Sequence, residues 1–212
     1  MKELIEKCQK DKGSVTLFNL FFNPIKSLDN QESDLFIDMI NNSKIVNVLD
    51  SIDNNILHYA LMINSPLSSS IAKRFPNLIS QKNKLGQLPC HFGAFHNNLD
   101  LTKFSPIRGS LCDHRGFTPL HIAAELGNQN HLKSMAESIE ERNVFNAFAL
   151  HWALKNDEKN SIKRVNKLVF SKALLQTANS VQMKTKNAIG MTPKDWMETT
   201  CSANEIDFIM FK

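Results

Sequence analysis

Histidine and cysteine carry most of the reactive chemistry open to this chain, which has seven of the first and four of the second. A neutral imidazole is a general base and a metal ligand, and a thiolate is a nucleophile. Two places bring these types together: Cys90 precedes His91, and Cys112, Asp113 and His114 are consecutive. A thiol activated by an imidazole needs hydrogen-bond reach, and adjacent residues of a helix do not face each other. The Cys112–His114 cluster is therefore the alternative reading, an enzyme or enzyme regulator with an atypical site. Metal ligation finds no CxxC, HxxxH or HExxH, and His91 and His96 do not stack on one helix face. GxGxxG and P-loop patterns are also missing from the sequence, so no cofactor and no metal are expected.

The spacing of the histidines suggests a different use. His58, His91, His121 and His151 follow one another at intervals of 33, 30 and 30 residues. Each sits in a related stretch. "DHRGFTPLHIAAELGN" is the fullest, "NKLGQLPCHFGAFHNN" keeps Gly86, Pro89 and His91, and "DSIDNNILHYALMINS" keeps Asp50, Leu57 and His58. "NVFNAFALHWALKND" keeps Leu150, His151 and Ala153, while "NAIGMTPKDWMET" has Asp195 in the histidine place, 44 residues after His151. A fainter copy lies at Gly13 and Leu17. Identical placement in successive units is what stacking requires and is poor ground for catalysis.

The elements that would position these residues follow from the local chemistry. Thr118 suits an N-cap, with Pro119 at the first helical position, and Asn55 is an equivalent cap. Asn64, Asn97, Gly127 and Asp157 lie six residues after each histidine and tolerate the left-handed backbone that ends a short helix. Each unit is expected to be a turn, a helix of about two turns, a second helix such as "NQNHLKSMAESIEE", and a return linker.

These units resemble ankyrin repeats, whose period of about 33 residues and T-P-L-H-x-A core match Thr118 to Ala123. The resemblance implies an all-α fold, an ankyrin-repeat solenoid of helix-turn-helix units joined by β-turn fingers. It divides the chain into N-terminal cap helices or a decayed first repeat over 1–42, repeats over 43–199 and a capping helix over 200–212. Turns are expected to start near 50, 83, 113, 143 and 187, with Asp53 and Asn146 replacing the turn glycine in two of them. Leu35, Phe36 and Met39 would face inward from the N-terminal cap, and Ile206, Ile209 and Met210 from the C-terminal one.

Partners of this family are held by turn tips and by the exposed side of the first helices. Carried over position by position, the tips are Ile52, Leu85, His114, Arg115, Phe117 and Phe145, and the helix positions are Met62, Phe95, His96, Glu125, Leu126 and Lys155. The apolar members suggest a hydrophobic ridge rimmed by Arg115, Lys84 and Lys155, or side chains that fold inward between repeats. The implied function is a non-enzymatic interaction module that binds another protein through a concave surface.

Composition narrows the partner class. Twenty-five basic against 21 acidic residues leave a net charge of +4 with both signs interspersed, which argues against nucleic acid. The basic segment Lys155 to Lys172, with Ile162, Val165, Leu168 and Val169 at helical spacing, is expected to be a helix with Lys163, Arg164 and Lys167 on a solvated face. It is also the one stretch that could touch anionic lipid. Neither "MKELIEKCQKDKGS" nor "VTLFNLFF" is a signal peptide or a span, which needs about 20 apolar residues. A monomer in the cytoplasm, with reduced cysteines, is expected. The Asn/Lys-rich, degenerate repeats also resemble ankyrin proteins that intracellular bacteria deliver into a host cell, which implies an effector in the host cytoplasm.

Overall fold

The computed structural model describes residues 30–42, 45–106, 111–131, 139–155 and 161–210. Among these the secondary structure is helical, without strands. The chain divides into two units, Met1–Gly93 with Lys103–Gly109 and Ala94–Thr102 with Ser110–Lys212.

The first unit carries α1 (Asn30–Asn42), α2 (Ile56–Met62), α3 (Ser68–Arg74), a 3-10 turn at Pro76–Ser80 and α4 (Pro89–Gly93). Helix α2 packs on α4 and α3, and α1 packs on α3. Ile56, Leu57, Ala60 and Leu61 of α2 are fully buried, a seven-residue helix too short to persist alone and held by its neighbours. In α1 the inward stripe is Phe36, Ile37 and Ile40. Leu35, expected to face inward, is 65% exposed, because the stripe at i, i+1 and i+4 turns it to the far side.

The second unit carries α5 (Pro119–Leu126), α6 (Ala149–Leu154), α7 (Ser161–Leu175), α8 (Ser180–Lys184), α9 (Pro193–Thr200) and α10 (Ala203–Met210). Helix α6 is central, packed on α5, α7 and α9. Ala123, Ala124, Ala149 and Ala153 are buried, and their small side chains let the first helices approach closely. The 44-residue interval before Asp195 is explained by the 15-residue α7 and the additional α8, capped by Asn179. Ile209 closes against the unit, whereas Met210, expected beside it, is exposed. The middle of the second helix read in "NQNHLKSMAESIEE", the faint copy near Gly13, and Asp157 fall outside the described residues.

The turns form by one chemical device. In each, an Asp or Asn carboxyl or amide oxygen, buried in all but the last turn, accepts two backbone N–H groups, two and four residues on. Asp50 Oδ1 takes those of Ile52 and Asn54 at 2.9 and 2.8 Å, and Asp113 Oδ1 takes those of Arg115 and Phe117 at 2.8 Å each. Asn83, Asn143 and Asn187 repeat the pattern. The position three residues on is left-handed in all five, at Asp53, Gly86, Gly116, Asn146 and Gly190, with φ between 51 and 82°. Asp53 and Asn146 hold this backbone because short polar side chains are the non-glycine types that tolerate it best.

Helix ends follow the same economy with one exception. Gly127 and Asn64 are left-handed, at φ 71 and 54°. Asn97, expected to match them, is not, because α4 stops at Gly93. The carbonyl of Ala94 is capped instead by the Asn128 side chain at 2.7 Å, and Asn97 receives Asn130.

Candidate functional site

The histidines are the hinge between local and tertiary structure. In His58, Nδ1 accepts the backbone N–H of Asn55 at 3.1 Å, which places the proton on Nε2 for donation to the Gln87 carbonyl at 3.1 Å. His121 does the same with Thr118 N–H (3.2 Å) and the Ala147 carbonyl (3.0 Å), and His151 with Phe148 N–H and the Thr185 carbonyl. Each imidazole thus caps its own helix and ties it to the next turn. Burial holds His58 down at about 4, and burial also lowers His131 and His151, so these rings stay neutral. Asp195, in the histidine place, accepts Thr192 N–H at 2.7 Å.

The cysteine pairs do not assemble a nucleophile. Burial pushes the Cys90 thiol up to about 12, and His91 Nδ1 is occupied by the Leu88 N–H. Cys112 Sγ lies 3.5 Å from Glu141 Oε2, while the Asp113 carboxylate is committed to its turn and to Arg115 at 3.7 Å. His114 is exposed beside them. Among the described residues, no group of three His, Cys, Asp or Glu side chains could hold a metal ion.

The positions carried over from the resemblance separate by unit. In the first, Ile52 and Leu85 stand out at the turn tips, Leu85 53% exposed, and Met62 is half-buried. The two tips are joined by Lys84 N–H to the Ile52 carbonyl at 2.9 Å, with Lys84 Nζ on the Ser51 carbonyl and 3.9 Å from Asp53.

In the second unit, Arg115 and Phe145 are exposed and Phe117, Leu126 and Lys155 are half-buried. Val144 N–H donates to the Arg115 carbonyl (2.8 Å) and Ala188 N–H to the Phe145 carbonyl (2.7 Å), so three fingers run side by side. Above them the Phe117 ring meets Phe145 at 6.2 Å and Trp152 at 5.6 Å. The Arg115 guanidinium covers Phe117 at 5.2 Å, and the Lys155 ammonium lies 5.8 Å from Trp152 and 5.4 Å from Trp196. The result is a row of rings with cations between them.

Phe95 is 57% exposed, and His96 is half-buried, its carbonyl receiving His131 Nε2 at 2.9 Å. Glu125 is half-buried and faces Lys167 at 3.6 Å, a structural pairing.

Two expectations about the basic segment are corrected. Lys167 is 2% exposed, against Glu125, and Arg164 makes a two-pronged bond to Glu205 at 2.6 and 2.7 Å. That pair holds Glu205 at about 2, through the Arg164 hydrogen bonds first. Val165, expected to face the core, is exposed instead. Lys167 and Arg164 of α7 are drawn inward because α5 and α10, both packed on it, present carboxylates, whereas Lys163 is exposed as expected. Among the described residues, no helix is long and apolar enough to cross a membrane.

The sequence reading missed Trp152 and Trp196, which complete the aromatic row, and Ile189, which stands beside them. The signal was present: the residue after each repeat histidine is Tyr59, Phe92, Ile122 and Trp152, and Trp196 follows Asp195.

Comparison with known proteins agrees with this geometry. The Ankyrin repeat family matches residues 115–138. The crystal structure of EF0377, an ankyrin repeat protein, is similar with a TM-score of 0.64 at 18% identity, over 98% of this chain and 95% of that one. Comparison with curated proteins finds no significant match. Residues 115–138 are an ankyrin repeat, and the fold of the chain is that of an ankyrin repeat protein.

Proposed function

We propose that the chain is a protein-binding module whose second unit holds a partner against its fingers and the open side of its first helices. Ankyrin repeats generally mediate protein–protein interaction. The observation that carries the reading is the aromatic row of Phe117, Phe145, Trp152 and Trp196, left open with Arg115 and Lys155 set among the rings. Large aromatic side chains flanked by Arg and Lys are what interface hot spots are made of. The fingers are rigid enough to present them, since each turn is locked by its Asp or Asn side chain and tied to the next by a backbone bond.

Affinity capture with the wild type and an Arg115→Ala/Phe117→Ala double variant tests the reading. Arg115 and Phe117 act outward from a turn whose locking residue, Asp113, is untouched. Loss of the captured protein from the folded variant supports the finger surface as the binding face. A protein retained equally by both removes it.

A further inference from the structure

We draw no further inference here: the strongest candidate, the apolar cavity that Phe145, Trp152, Ile189 and Trp196 line between the last two fingers of the second unit, belongs to the finger surface already described, and nothing in the structure shows what covers it.

Discussion

One slot in the repeat, the residue after the histidine position, is filled by an aromatic ring in both units and does opposite work in each. In the first unit, Tyr59 is buried and its hydroxyl donates to Asp50 Oδ2 at 2.6 Å, bracing the residue that locks the turn. In the second, Trp152 is half-buried, its N–H has no acceptor, and its ring lies against Phe117 and Phe145 of the fingers. A para-hydroxyl reaches its own turn; an indole does not, and stays at the surface. The same helix position therefore braces the turn where it is Tyr and joins the open aromatic row where it is Trp.

The chain's single tyrosine lies in the first unit and both tryptophans lie in the second, so intrinsic fluorescence follows the two separately. The largest effect should come from Gly127→Ala. A Cβ there would stand 2.5 Å from the Lys167 backbone nitrogen at a φ of +71°. About 3 kcal/mol or more should be lost from the tryptophan-monitored denaturant transition. Gly190→Ala, at φ +82° with open space around it, should cost only about 1 kcal/mol. Equal costs would show that the close approach of α7 to α5 is not what holds the second unit.

Acid should separate the units next. His58 is protonated near 6.5 when unfolded and only at about 4 when folded. Its contribution is complete above pH 6.5 and is lost as pH falls toward 4, up to about 3 kcal/mol at the lower limit. His151 acts in the same direction in the second unit, and Glu205 adds a loss between pH 4.5 and about 2. A tyrosine-monitored transition unchanged from pH 7 to 4.5 would remove the neutral histidine bridge from the account.

Tyr59→Phe should follow, at about 2 kcal/mol, the size of a hydrogen bond to a buried carboxylate. Asp50 is pushed up by burial but pulled below its usual value by the Tyr59 hydroxyl and the N–H groups of Asn54 and Ile52. Its stabilisation is present above pH about 4 and lost below, so the variant should begin to unfold in acid at higher pH, followed by circular dichroism. Smallest of all, Trp152→Phe should change stability by under about 1 kcal/mol, since it removes an unpaired donor along with some packing. A cost above 2 kcal/mol would mean that Trp152 braces the fold as Tyr59 does.

The repeat frame was legible because it is written in local chemistry. A threonine or asparagine cap, a proline at the first helical position, an Asp or Asn opening each turn and a histidine three residues after the cap are all read from spacing. The turns at Asp53 and Asn146 belong to the same code, since Asn and Asp tolerate the left-handed backbone. The aromatic row was half legible. Phe117, Phe145, Arg115 and Lys155 were found by their register, but Trp152 and Trp196 were not, because one wheel position can face inward or outward. Two of the α7 cations, Arg164 and Lys167, were misread for a related reason. Helical periodicity places Lys167 on a polar stripe, yet Glu125 of another helix decides that the stripe is buried.

What the sequence by itself determined is thus the unit: turn, cap, short helix and stop, each set by groups within a few residues of one another. Only the tertiary structure decided which aromatic rings brace the fold and which remain open. That choice depends on whether a partner atom such as the Asp50 carboxylate lies within hydrogen-bond reach, and on which charges a neighbouring helix brings to meet Lys167 and Arg164.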